Sequence, residues 1–186
     1  VDGVLFTGSF PVGRRILEAN LDTPGRLIAL EMGGSNPAVV TAKADLRRAA
    51  IECVRAAFAT TGQRCTCTRR IVVEESVADR FIPMVLKLAS NLMIAAADDG
   101  VPAFMGPLVT GEARDAVLRA QAAIASRGRL LLEASPLDRA GFFLSPGAVE
   151  VERFARSASE DKIFGPFVQF ARARDLDDAI AQANAT

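Results

Sequence analysis

Thr61-Gly62-Gln63-Arg64-Cys65-Thr66-Cys67 follows a stretch of apolar periodicity from Leu46 to Ala59 and precedes the run Arg70-Ile71-Val72-Val73. Apolar residues at three- and four-residue steps predict a helix, and a short β-branched run predicts a buried strand. Cys65 is therefore expected on a connection between two rigid elements, where reactive groups are usually held. A thiol attacks as the thiolate, which positive potential favours, and Arg64, Arg69 and Arg70 lie within five residues of it. The same heptapeptide also admits a plainer reading, a buried cysteine packing as a small hydrophobe.

Upstream, the apolar run Leu27-Ile28-Ala29-Leu30 leads into Glu31-Met32-Gly33-Gly34-Ser35-Asn36-Pro37. A glycine pair lets the chain turn sharply, which puts Glu31 at a strand-to-loop exit. Together, Glu31-Met32-Gly33-Gly34 and Gly62-Gln63-Arg64-Cys65 resemble the aldehyde dehydrogenase superfamily, whose general base lies in a Glu-x-Gly-Gly segment and whose nucleophile lies in Gly-Gln-x-Cys. Leu5-Phe6-Thr7-Gly8-Ser9 and Ile163-Phe164-Gly165-Pro166 match two further segments of that family, in the same order. Within the superfamily, the surroundings of Glu31 and Cys65 look most like the N-succinylglutamate 5-semialdehyde dehydrogenases of arginine degradation.

The resemblance implies an α/β fold. Residues 1–31 would be the C-terminal part of a Rossmann-type NAD-binding domain, and residues 32–186 an α/β catalytic domain incomplete at its C-terminus. The chain is thus expected to be partial, with most cofactor-binding strands and one oxyanion-hole asparagine outside it, and inactive when isolated. The family's dinucleotide-contacting segment falls on Gly8, Ser9, Phe10, Pro11, Val12 and Gly13, with Val12 where a hydroxyl or carboxylate side chain is usual. Phe164 matches the phenylalanine that lines the nicotinamide site. Lys162 stands where a ribose-gripping glutamate is expected, and an ammonium only donates hydrogen bonds. Assembly into homo-oligomers is implied for the full-length form.

Composition narrows the classes. A chain of 186 residues that is half apolar can bury a core, and 22 Lys and Arg balance 22 Asp and Glu. No overall field then recruits nucleic acid or an anionic membrane. Three cysteines and no histidine disfavour zinc patterns and a disulfide framework, so no metal site is expected and a reducing, cytoplasmic setting is the default. A small neutral or anionic substrate is the easier partner, and the resemblance implies that it is an anionic aldehyde.

Along the chain, Val4–Phe6 reads as a strand, Thr7–Ser9 as its turn, and Val12–Asn20 as a helix with Ile16 and Leu17 inward. Leu27–Leu30 and Ala38–Val40 read as strands, and Asp45 as the cap of the helix bearing Cys53, a core residue. Ser76–Leu92 should be a helix with Val77, Phe81, Val85, Leu88 and Leu92 inward, Met84 and Met93 packed, and Pro83 at a distortion. Asp98-Asp99-Gly100 reads as a solvated turn, and Thr110–Ser126 as a helix stopped by Gly128. Leu130–Leu132, Phe142–Leu144 and Phe167–Phe170 read as strands, and Leu176–Ala183 as a final helix. Alternating strands and helices predict α/β layering.

The chemistry these residues suit is oxidation of an aldehyde to an acid. Cys65 would attack the carbonyl carbon to give a thiohemiacetal, and the hydride would leave to a nicotinamide, since no side chain here accepts two electrons. Glu31, with burial lifting its pKa, would activate water to release the thioester, and the Cys65 N–H would serve the oxyanion. Arg64 or Arg69 would pair with a substrate carboxylate. The competing readings are another aldehyde dehydrogenase branch, acting for instance on glutamate semialdehyde, and a catalytically silent segment with a packing or oligomerisation role.

Overall fold

A computed structural model describes residues 1–156 and 162–186, and the chain divides into two compact units, Val1–Gly34 and Ser35–Thr186. In the first, β1 (Gly3–Gly8) and β2 (Leu27–Met32) run parallel and are joined by α1 (Phe10–Glu18), with Thr7 opposite Glu31 and Gly8 opposite Met32. Parallel neighbours require such a crossover. The helix starts two residues before the expected Val12, at Phe10, because Pro11 suits a first turn whose N–H groups are unbonded in any case. Gly8 belongs to the strand and not to the turn. Leu17 is exposed, contrary to expectation, since Gly13 and Ile16 centre the covered stripe and Leu17 falls at its edge.

The second unit is a five-stranded sheet in the order β3-β4-β7-β6-β5, built from β3 (Asn36–Val40), β4 (Thr68–Glu74), β5 (Arg129–Leu132), β6 (Gly147–Glu150) and β7 (Phe167–Ala173). All neighbours are parallel except β5 with β6. The helices are α2 (Leu46–Phe58), α3 (Glu75–Ser90), α4 (Gly111–Ala125) and α5 (Leu176–Ala183). Alternation along the strands sends Ile71, Val73, Val168 and Phe170 into a core with α2 and α3, while Val72 and Ala171 meet Ala179 of α5 on the other face. On that second face Val149 and Phe167 join Val117 and Ile124 of α4. Both sheet faces are covered, as a parallel sheet demands. Pro37 lies on edge strand β3, where its missing N–H costs no ladder bond, and the pairing slips beside it.

Several sequence expectations need correction. Phe142–Leu144 is not a strand: only Leu144 makes an isolated bridge, to Pro136. The strand in that region is β6, whose small residues Gly147 and Ala148 gave no strong β signal. Pro83 sits inside an unbroken α3; Leu88, in its last turn, and Met93, beyond its end at Ser90, are exposed. Asp45 caps α2 as expected, accepting from the backbone N–H groups of Arg47 and Arg48 at 3.1 and 3.2 Å. Among the described residues no helix is long and apolar enough to cross a membrane.

Candidate active site

After α2 the chain makes a 3₁₀ turn, Ala59–Gly62, in which Thr60, Thr61 and Gly62 all take left-handed φ values of 55°, 57° and 68°. For a β-branched residue this region is strained, at roughly 1–3 kcal/mol, so surrounding contacts must hold it. Those contacts are present. The Thr61 hydroxyl donates to the Gly106 carbonyl at 2.9 Å and accepts from its N–H at 3.0 Å. Gln63 Oε1 accepts from the Val109 N–H at 3.0 Å. Gly62 lies so close to Gly165 that a Cβ would fall on the Gly165 carbonyl, which ties the cysteine-bearing stretch to Phe164-Gly165-Pro166.

Beneath the turn, Arg69 is only 2% exposed and its guanidinium donates to the carbonyls of Gly62, Ala57 and Thr68. Ala57 is in the last turn of α2, where carbonyls have no helical partner and a cation is favoured. Burial lowers the Arg69 pKa, opposed by Cys67. Arg69 is therefore a structural residue and cannot reach a substrate, which corrects its assignment as a carboxylate partner; of the two arginines proposed for that role only Arg64 is exposed. Arg70 leaves the strand on the opposite side, buried, donating to the Ala185 carbonyl at 2.6 Å and lying over the Phe154 ring.

Cys65 itself is exposed, not core filler. Its carbonyl accepts from Asn36 Nδ2 at 2.6 Å and from Lys162 Nζ at 3.4 Å, while Asn36 also donates to the Cys67 carbonyl at 3.1 Å. The Cys65 N–H has no acceptor among the described residues, which leaves it able to donate to an oxyanion. Lys162 Nζ lies 5.3 Å from the Phe164 ring centroid, so Cys65, Lys162 and Phe164 form one neighbourhood. Phe164 is 45% exposed, which sets it apart from a core aromatic. Burial lowers the Lys162 pKa, and Arg69 adds repulsion, against Cys65 and Cys67. The other two thiols are buried: Cys67 lies 3.8 Å from the Ala59 carbonyl, and burial pushes Cys53 up to about 11.

In the first unit, Glu31 is the penultimate residue of β2, exposed, and paired in register with Thr7. The expected burial of Glu31 is therefore not found. Gly8 ends β1, Ser9 precedes α1 without a side-chain cap bond, Phe10, Pro11 and Val12 form the exposed first turn, and Gly13 is buried where a Cβ would meet the Met32 sulfur. Glu31 and Gly8–Gly13 thus share the carboxyl edge of this strand pair, the edge at which α/β folds bind ligands. The α1 N-terminus carries no acidic residue in its first turn, and its free N–H groups suit an anion.

Sequence reasoning missed the structural weight of Asn36, Thr61 and Gln63. Each is a polar residue beside a glycine or proline in a motif already quoted, yet their partners are far along the chain, at Cys65, Gly106 and Val109. Among the described residues there is no group of three or more His, Cys, Asp or Glu side chains suited to a metal ion.

The pattern of the aldehyde dehydrogenase family matches residues 1–186. An N-succinylglutamate 5-semialdehyde dehydrogenase of Hahella chejuensis is 38% identical over 188 residues, covering the whole chain and 38% of the relative. N-succinylglutamate 5-semialdehyde dehydrogenase 1 of Caulobacter vibrioides is 40% identical, covering the whole chain and 39% of that relative. The chain thus spans about two fifths of the length of these curated relatives. Among solved structures, betaine aldehyde dehydrogenase from Staphylococcus aureus in complex with NAD+ superposes with a TM-score of 0.90 at 26% identity, over the whole of this chain and 37% of that one. A family pattern running from the first residue to the last, two relatives alike throughout, and an α/β fold that superposes at this level establish that the chain belongs to the aldehyde dehydrogenase family.

Proposed function

We propose that this protein oxidises an aldehyde to a carboxylic acid through a thiohemiacetal and then a thioester on Cys65, with N-succinylglutamate 5-semialdehyde as substrate. The observation that carries the reading is the exposed Cys65 thiol just after a strained turn, Ala59–Gly62, that the Thr61 hydroxyl and Arg69 hold, with Asn36 fixing the carbonyl of Cys65 itself. Strain that persists because its surroundings over-determine it marks functional sites. The likeness to two N-succinylglutamate 5-semialdehyde dehydrogenases supports the substrate.

Cys65 attacks the carbonyl carbon, and its own N–H donates to the oxygen as negative charge builds there. Glu31 takes a proton from the water that cleaves the thioester, returning the thiolate. The cofactor we assign is NAD, which supplies a hydride acceptor when bound. Residues 1–31 are read as the end of the cofactor domain and 32–186 as the catalytic domain. The residues present fit the phosphate portion of such a group, because Gly8, Ser9, Phe10, Pro11, Val12 and Gly13 bring an uncapped, acid-free helix start to a strand end. Phe164 offers an exposed aromatic face. Val12 and Lys162 provide no acceptor for sugar hydroxyls.

The test is turnover of N-succinylglutamate 5-semialdehyde, followed as NADH absorbance. Cys65→Ser should abolish it, and Glu31→Gln should leave one rapid equivalent of NADH followed by slow turnover, because the thioester forms but is not hydrolysed. Steady turnover by Cys65→Ser would refute the assignment of the nucleophile.

A further inference from the structure

Lys162 meets the Cys65 turn through a hydrogen bond from its ammonium to the Cys65 carbonyl, and the same ammonium lies over the ring of Phe164 in its own segment. Among the described residues, the charged groups around this turn are Arg64 within it, Arg69 from β4 and Lys162 from the segment before Phe164, with Cys67 as the second thiol. Arg69 is buried and bonded to three carbonyls, so its charge is committed to the backbone. Arg64 is exposed, with its charge open to solvent screening. Lys162 is half-buried, which limits screening, and its ammonium lies 3.4 Å from the carbonyl of Cys65 itself.

We propose that Lys162 is a specificity-determining residue, whose charge sets a positive potential at the Cys65 thiol and draws carboxylate-bearing aldehydes to it in preference to neutral ones. An ammonium acts as a compact point charge and needs no bidentate geometry, so it favours anions as a class. The inference rests on the reading of Cys65 as nucleophile and adds to it the sign of the substrate's charge.

The experiment compares alkylation of Cys65 by iodoacetate, which is anionic, and by iodoacetamide, which is neutral. In both reactions the thiolate sulfur forms a bond to the methylene carbon and iodide leaves, so the ratio of the two rates cancels the fraction of thiolate and reads the local potential. Peptide mapping assigns the modification to Cys65; Cys67 is buried and the buried Cys53 thiol, pushed up to about 11, stays unreactive at neutral pH.

Lys162→Gln should lower the iodoacetate to iodoacetamide ratio about tenfold, and Lys162→Glu should lower it further. Lys162→Arg should keep it within about twofold, since charge and reach are retained. In turnover, Lys162→Gln should raise KM for a semialdehyde bearing a carboxylate and leave KM for a neutral aldehyde of equal length unchanged. The proposal is overturned by an unchanged ratio in Lys162→Gln, by a loss in Lys162→Arg as large as in Lys162→Gln, or by a larger loss in Arg64→Gln. Activity retained by Cys65→Ser would remove the nucleophile reading but leave the potential measured at residue 65 intact; an unmoved ratio beside an inactive Cys65→Ser would do the reverse.

Discussion

The two units solve the same problem unequally. Residues 35–186 cover both faces of their sheet, so that Ile71, Val72 and Val73 are all fully buried in succession. In residues 1–34 one face of the strand pair is covered by α1, while Leu5 and Leu27 on the other are 79% and 66% exposed. Burial on both faces gives the larger unit the means to hold a strained turn, since about 25 cal/mol per Å² of apolar surface accumulates there. The smaller unit places its glycines and Glu31 by local geometry alone, with a tight turn and an in-register strand pair. A backbone under strain thus occurs where the surroundings are densest.

The sharpest way to break this contrast is a methyl group in each unit. Gly62→Ala meets both a left-handed φ and the Gly165 carbonyl, and should cost about 3 kcal/mol or more. Gly25→Ala, with nothing within 4 Å of the added Cβ, should change stability by less than about 0.5 kcal/mol. Urea midpoints of the purified variants measure both, and equal midpoints would show that the turn is not held as described.

Arg69→Met tests the support beneath the turn. It leaves the carbonyls of Gly62, Ala57 and Thr68 without that donor, and about 2 kcal/mol of stability should be lost. Because the turn itself loosens, Cys65 alkylation should also change, whereas Arg80→Met on the surface of α3 should alter neither.

A smaller effect is expected at Arg172, which joins Glu150 at 2.7 Å, Glu75 at 2.9 Å and Asp79 at 2.7 Å. Arg172→Met should cost about 1 kcal/mol, less at high salt, because the network is partly exposed. The urea midpoint with and without 1 M salt, taken as roughly a 3 Å screening length, separates the electrostatic share.

The pH dependence is the mildest probe. A hydrogen bond from Arg153, with others from the Arg174 backbone and side chain, lowers the Asp178 pKa to about 2. A depressed carboxylate contributes stability that is fully present above its ordinary range and is lost as pH falls through that range toward about 2. Asp178→Asn should therefore show a shallower decline in urea midpoint across that window than the unchanged protein; parallel curves would contradict the coupling.

The candidate site was legible where chemistry is carried by local sequence. Gly-Gln-x-Cys and Glu-x-Gly-Gly mark the chain by residue type and order, and the α2 boundary follows from Asp45 and the apolar steps to Phe58. Three arginines close to Cys65 in sequence did not translate into three cations at the thiol. Neighbours on a strand point to opposite faces, and burial committed Arg69 and Arg70 to backbone carbonyls. Lys162, ninety-seven residues from Cys65, stands in the sequence only as a departure from a motif, yet its ammonium lies on the Cys65 carbonyl.

What the sequence by itself determined is the class of fold and the connection between α2 and β4 on which Cys65 lies, because periodicity, capping and motif order are properties of adjacent residues. Which polar groups surround that thiol was decided by the tertiary structure alone. Parallel pairing of β4 with β7 brings the segment that precedes β7 beside the Cys65 connection that precedes β4, and contacts of that range have no signature in a window of neighbouring residues.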